Sequence, residues 1–391
     1  TLLYQHLFWF WGHPEVYILF LPATGMISSI IPAAARRPLA GRVWIVASLM
    51  AIAFISFGVW VHHMFATGGP AQALGYFSAA SYIIAIPSGV QFFCWIATIW
   101  GGKVRFHTPM LFSIGFLVIF LLGGITGVMA ATMPFDWQAH DTYFIVAHFH
   151  YVLNGAVVFP IFGALYHWVP KMTGRMLSER LGRWSFWVMF VGFNVSFFPM
   201  HVLGLQGMPR RVYTYQDGLG WTTLNVIVSA GAAAFGIGTA LTLVNLAWSH
   251  RRGAAAPPNP WGASTLEWAT TSPPPDVNFP QIPVVRSLDP LWHGRLETVT
   301  DEDLAAGRTD PGFGIEGARQ REMTTTRGLR AVPDEVLRVP EETSLPFWVA
   351  LATFVLFVGL LVEANLVLVV GVVVGLLALV TWAWRTDEDL A

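Results

Sequence analysis

Seven apolar stretches, each long enough to cross a bilayer, follow one another along the chain before a long polar interruption. They fall at roughly His13–Pro32, Val43–Phe65, Tyr76–Trp100, Pro109–Met133, Asp141–Val169, Arg183–Leu203 and Trp221–Trp248. Two further segments, about Pro346–Leu361 and Leu366–Trp384, are predicted to turn back on each other at Glu363-Ala364-Asn365. The pattern predicts an all-α, polytopic membrane helical bundle in three parts. Residues 1–249 form the membrane core, residues 250–345 a cytoplasmic linker rich in Pro and charge, and residues 346–391 a two-helix transmembrane extension.

Composition agrees with a bilayer as solvent. Hydrophobic residues make up 54% of the chain, with 18 Trp and 29 Phe, well above a soluble domain. More than half of the charged residues lie in the linker, and the net charge of −1 gives no reason to expect a nucleic-acid partner. The single cysteine, Cys94, excludes a disulfide framework and any thiolate metal cluster within the chain. The first residue, Thr1, already stands inside an apolar pattern, so the chain reads as a piece lacking N-terminal helices.

Basic residues alternate between loops. Arg36, Arg37 and Arg42, then Lys103 and Arg105, then Lys171, Arg175, Arg180 and Arg183, then Arg251 and Arg252 mark one side, which the positive-inside rule makes cytoplasmic. The loop Gly204–Gly220 breaks the rule with Arg210 and Arg211 on the outer side. Paired guanidiniums beside a membrane cofactor suit carboxylates, such as haem propionates.

Ionisable groups inside a membrane are functional candidates by default. His13 and Tyr17 lie i, i+4 on one helix face, and Glu15, pointing elsewhere, is the lone carboxylate within the seven main spans apart from Asp141 at the outer edge of the fifth, and reads as a proton relay. His62 and His63 lie at the outer end of the second span. Being depth-matched to His13 on the neighbouring helix, they complete a set of three imidazoles suited to copper. His148 and His150 point roughly 200° apart on one helix, so they serve two different cofactors, and haem iron is the natural apolar one. His140 and Asp141, at the outer edge, offer a nitrogen and an oxygen to a hard divalent ion, and Asp141 is also placed to cap its helix. His167 and His201, at span ends, read as hydrogen-bonded structural residues.

Together, His13-Pro14-Glu15-Val16-Tyr17, His62-His63, His140-Asp141-Thr142-Tyr143 with Ala147-His148-Phe149-His150-Tyr151, and Gly207-Met208-Pro209-Arg210-Arg211 resemble subunit I of the haem-copper oxygen reductases, cytochrome c oxidase type. The resemblance covers about Tyr4–Phe279 and implies helices six to twelve of the family's twelve. It implies His148 as ligand of the high-spin haem, His150 as one axial ligand of the low-spin haem, and copper B on His13, His62 and His63. It further implies Tyr17 as a redox phenol joined to His13, and Glu15 at the end of a proton route. Magnesium or manganese would sit at His140 and Asp141, with Arg210, Arg211 and Asp136 around the propionates. Two haems, of the a type, would be the prosthetic groups. Subunit II, with copper A or of quinol type, and subunit III would be the partners, cytochrome c or quinol the donor, and the bacterial inner (plasma) membrane the location. The implied activity is reduction of dioxygen to water coupled to proton translocation. Nitric oxide reduction on the same scaffold is the alternative.

Two departures stand out. Gln91 occupies the position where the family usually has a Lys serving a second proton route, leaving Ser28, Ser88 and Tyr17 as the hydroxyls along it. The second axial ligand of the low-spin haem would precede Thr1.

Overall fold

The computed structural model describes residues 1–274, 283–293, 297–298, 322–327, 332–338 and 343–383, and much of the expected linker lies outside them. The chain divides into two compact units. The first holds the seven expected spans. Helix α1 (Leu2–Ala35) starts well before the expected His13, because the preceding residues are also apolar and carry no breaker. It is followed by α2 (Arg42–Ser56), α3 (Ala71–Ile83), α4 (Ala85–Trp100), α5 (Thr108–Ala131), the short α6 (Met133–Ala139), α7 (Tyr143–Leu153), α8 (Phe159–Thr173), α9 (Glu179–Leu205) and α10 (Thr222–Arg252).

Three spans are not continuous α-helices, which the apolar pattern alone does not foretell. The second breaks at Phe57-Gly58 and continues as a 3-10 segment, Trp60–Thr67. The third changes helix between α3 and α4, where Pro87 lacks the N–H that would bond to the carbonyl of Ile83 and crowds that turn. The fifth passes through a π-helical turn, Asn154–Val158, just before Pro160, whose missing N–H frees another carbonyl in the same way.

The core lies between α1, α4, α5, α8 and α9 and is strongly aromatic, with Trp95, Phe112, Phe116, Phe159 and Phe193 at 2% exposure or less. The helix ends bearing the basic loops gather at one end of this unit. There Lys103 and Arg105 donate backbone N–H bonds to Ala35 and Ala34, and Arg37 donates to the Ala97 carbonyl. Residues after α10 fold back over that end. Buried Lys171 donates to the carbonyls of Thr270 (2.6 Å) and Pro258 (3.1 Å), Trp261 donates to the His167 carbonyl, and Asp289 pairs with Arg42 (3.1 Å).

In the second unit, α11 (Leu345–Leu361) and α12 (Asn365–Ala383) form the expected apolar hairpin, turning at Glu363, which adopts φ 54°. Gly359 and Gly371 permit the close crossing, since a Cβ at either would meet the backbone of Leu368 or Leu356. Two short antiparallel strand pairs, Pro283–Val284 with Glu297–Thr298 and Glu322–Arg327 with Val332–Arg338, interrupt what reads in sequence as an irregular linker.

Candidate functional site

The three-imidazole set assembles at the end of the bundle away from the basic loops. Among the described residues, His13, His62 and His63 form the one group of three or more His, Cys or acidic side chains close enough to share a metal, their ligand atoms all within 4.8 Å of one another. His13 Nδ1 and His63 Nε2 approach to 3.1 Å, while His13 Nε2 is buried without a partner. The His pair rides on the 3-10 segment rather than on an α-helix, so the two rings diverge by about 120° per residue instead of about 100°. Ser81 Oγ donates to the Phe77 carbonyl and so accepts from His62 Nδ1 (2.7 Å), which leaves His62 Nε2 bare as a ligand. Trp9, one helical turn before His13, stacks on His63 at 3.8 Å and 9°. Neither Ser81 nor Trp9 carries a sequence signal of its own beyond spacing. Neutral nitrogen donors converging in a buried place fit a copper ion.

Tyr17 lies edge-on to His13, ring centroids 4.8 Å apart. Glu15 is half-buried and makes no hydrogen bond or ion pair among the described residues.

His148 and His150 face different helices. His148 Nδ1 meets Thr126 Oγ1 on α5 at 3.1 Å, and Thr126 itself donates to carbonyls of its own helix, so it accepts from His148. Gly127 makes room for the ring, because a Cβ there would sit 3.0 Å from His148 Cε1. His148 also lies within electrostatic reach of His62 and His63. His150 donates from Nδ1 to the Val146 carbonyl (2.7 Å) and stacks on Phe197 of α9 at 4.1 Å. Both histidines therefore keep Nε2 for an axial bond, on two sides of α7, and both fit haem iron.

At the same end, the loop after α9 zips onto the start of α7. Tyr143 N–H donates to Met208, and Arg210 N–H donates to Asp141, whose φ is 57°. Asp141 does not cap α7: its side chain turns to Arg210 (2.6 Å) and lies 3.6 Å from Arg211, and Thr142 supplies the cap by accepting from Phe144 N–H. Asp136, expected near the propionates with Arg210 and Arg211, accepts from His140 Nδ1 (2.9 Å). That hydrogen bond raises the His140 pKa, and Asp136 and Asp141 add to it electrostatically against partial burial. It also leaves His140 Nε2 free, while Arg210 engages only one oxygen of Asp141. One nitrogen and one oxygen thus remain for a divalent ion, held by the carboxylate-to-histidine bond usual behind metal ligands.

A polar line runs from the triad toward the basic end. Tyr17, Thr24 and Ser28 share one face of α1 by their spacing. On α4, Pro87, Gln91, Trp95 and Thr98 form the buried face. Trp95 Nε1 donates to Ser28 Oγ (3.0 Å), tying the two helices together. Gln91 is fully buried, and neither its amide nitrogen nor its oxygen has a partner among the described residues. Ser88 spends its hydroxyl on the Ile84 carbonyl of its own helix.

Comparison with known proteins agrees with the motifs. The family described as cytochrome c and quinol oxidase polypeptide I matches residues 1–234. A cytochrome c oxidase subunit 1 of Alkalihalophilus pseudofirmus is 47% identical over 321 residues, covering 80% of this chain and 51% of that protein. The subunit 1 of Bacillus sp. PS3 is 42% identical over 92% of this chain and 54% of its own length. The chain thus spans about half the length of the curated relatives it matches. A solved haem-copper terminal oxidase dimer shares the fold, with a TM-score of 0.59 and 22% identity over 63% of this chain and 49% of that one.

Proposed function

The chain belongs to the cytochrome c and quinol oxidase polypeptide I family, and on that premise we propose that it is the catalytic part of a terminal respiratory oxidase. It would reduce dioxygen to water and couple the reaction to proton translocation. The observation that carries this reading is the convergence of His13, His62 and His63 within 4.8 Å, with Tyr17 edge-on to His13 and His148 close by on the facing helix. When bound, two haems of the a type and a copper ion would supply the electrons and the dioxygen-binding metals.

The chain's own residues do the rest. His148 Nε2 would hold the reactive haem, with Thr126 fixing the ring through Nδ1. His150 would do the same for the electron-entry haem, with the Val146 carbonyl behind it. His62 is oriented by Ser81 and His63 by the Trp9 ring. Tyr17 Oη, beside His13, would be the phenol able to give up a proton together with an electron to the reaction at this site. Glu15, unpaired within the apolar span, takes up and releases the protons to be translocated. Ser28, Ser88 and Gln91 line a second route toward Tyr17, in which the unpartnered Gln91 amide holds water instead of carrying a charge. His140 Nε2 and Asp141 would take magnesium or manganese, and Arg210 and Arg211, with Asp136 nearby, would face the propionates.

Subunits II and III of an oxidase would complete the assembly in a bacterial plasma membrane, with cytochrome c or quinol as donor. Residues 1–249 would be the catalytic core and residues 346–391 a packing extension. Optical spectroscopy of the purified complex tests this. The wild type should show one high-spin and one low-spin haem, and His148→Ala should lose the high-spin signal while keeping the low-spin one. A complex without haem absorbance, or a His148→Ala complex with an unchanged spectrum, would overturn the reading.

A further inference from the structure

Helices α9 and α10 pack antiparallel along a line of small and polar residues. At the basic end Ser178 N–H reaches Ser249 Oγ (3.3 Å) and Asn245 Nδ2 donates to the Ser178 carbonyl (2.9 Å). Deeper, Ser185 Oγ and Thr242 Oγ1 bond at 2.6 Å, and a Cβ at Gly238 or Gly231 would strike Met189 or Ser196. Phe186 and Phe193, one position after the contact residues Ser185 and Gly192, enter the aromatic core. The positions just before the contact residues therefore fall on the side of α9 away from the core. Both helices are right-handed and antiparallel, so the positions just before the contact residues of α10 fall on that same side. These are Trp184 and Val195 on α9, and Ile237, Val244 and Trp248 on α10, and all five are exposed. Together they line an apolar groove on the outer face of the first unit.

The mouth of the groove is cationic. Arg180 stands one turn before Trp184, and Arg252 one turn after Trp248, so each helix presents an Arg–Trp pair at the basic end. The register set by Ser178 and Ser249 puts Arg180 at about the level of Trp248. The Arg252 guanidinium lies over the Trp248 ring, 4.4 Å from its centre. Arg180 and Arg251 are exposed and make no hydrogen bond or ion pair among the described residues. The neighbouring carboxylate, Glu179, is already held by Thr108 N–H (2.8 Å) and Arg183 (3.1 Å).

Dimensions and charge select the occupant. From Trp184 to Val195 the helix rises about 16 Å, close to the ~15 Å of one leaflet of a hydrocarbon core. An acyl chain matches that length and the aliphatic lining, a phosphodiester matches the guanidinium fork, and Trp rings belong at the depth where the two meet. The ammonium of a zwitterionic headgroup would be repelled by the arginines. A helix of another subunit would fill the groove but leave Arg180 and Arg251 without an anion.

We propose that this groove holds one anionic phospholipid, its phosphate between Arg180 and Arg252 and one acyl chain lying between α9 and α10. The site stands apart from the metal chemistry proposed above.

Photolabelling of the whole purified complex tests it. A phosphatidylglycerol carrying a diazirine in one acyl chain should label the groove peptides of α9 and α10 at least fivefold more than the other exposed spans. Unlabelled phosphatidylglycerol should compete, and phosphatidylcholine should not. The double variant Arg180→Gln, Arg252→Gln should cut the labelling about tenfold at an unchanged thermal midpoint. Arg36→Gln with Lys103→Gln, which removes the same charge from the same end, should leave it within twofold. Even labelling of all spans, or equal competition by phosphatidylcholine, would mean ordinary boundary lipid and overturn the site. An unlabelled groove would mean that a neighbouring subunit covers it, and equal loss in both double variants would mean general attraction to the basic end; either overturns the site as well. If the arginine variant fails to assemble, the competition in the wild type decides alone.

Discussion

At the scale of single residues, tautomers decide what the site can bind. Three of the histidines, His62, His148 and His150, spend Nδ1 on a hydroxyl or carbonyl and so present Nε2 to a metal. Ser81→Ala should therefore weaken copper retention about tenfold against a chelator while leaving the haem spectrum intact, as metal analysis after dialysis would show. A copper affinity equal to the wild type's would mean that Ser81 does not orient His62. His140 yields a pH prediction. Its pKa is raised, mainly by the bond to Asp136, so the proton competes with a metal at Nε2 up to a pH above the ordinary histidine value. Manganese loading should thus rise with pH through that raised pKa, and in Asp136→Asn the rise should move to lower pH, measured by electron paramagnetic resonance. The histidines themselves were legible in the sequence, because ionisable residues are rare in apolar spans and helix alternation matches their depths. Their supporting hydroxyls were not, since a serine or threonine in an apolar helix usually bonds its own carbonyls, as Ser88 does here.

At the scale of elements, periodicity located all of the spans but none of their breaks. Apolar length is set by the bilayer and survives a local change of helix type, whereas the break at Gly58, the switch before Pro87 and the π turn before Pro160 depend on single hydrogen bonds. The first of these breaks aims the His62-His63 pair. The expected capping role of Asp141 failed for a related reason: the loop carrying Arg210 draws its side chain away, and Thr142 takes over. Helix α9 packs on α10 through glycines, and a Cβ at Gly192 would stand 2.6 Å from the Phe235 nitrogen. Gly192→Leu should consequently cost about 3 kcal/mol and lower the thermal midpoint of the purified complex, since neither backbone can retreat without opening the core. An unchanged midpoint would show that the two helices are not held at this distance.

At the scale of the whole molecule, the chain separates two kinds of chemistry by depth and end. The clustered histidines proposed as metal ligands, Arg210, Arg211 and the His140–Asp136 pair gather at one end, and the basic loops with the covering segment at the other. A polar line on α1 and α4 runs between them through a core that is otherwise aromatic. Charge alternation along the loops made this polarity readable from sequence. The covering segment was legible in part, since the family resemblance runs on to about Phe279, past Trp261 and Trp268, but its composition reads as linker and only the contacts with His167, Ala33 and Arg42 show how it joins the core unit.

Turnover by the purified complex with dioxygen and with nitric oxide decides whether the site proposed at His13, His62, His63 and Tyr17 is the place where a haem and a copper ion would reduce dioxygen. Rapid consumption of dioxygen to water, abolished in His62→Ala, is the expected result. Consumption of nitric oxide alone, or dioxygen turnover that survives His62→Ala, would contradict it.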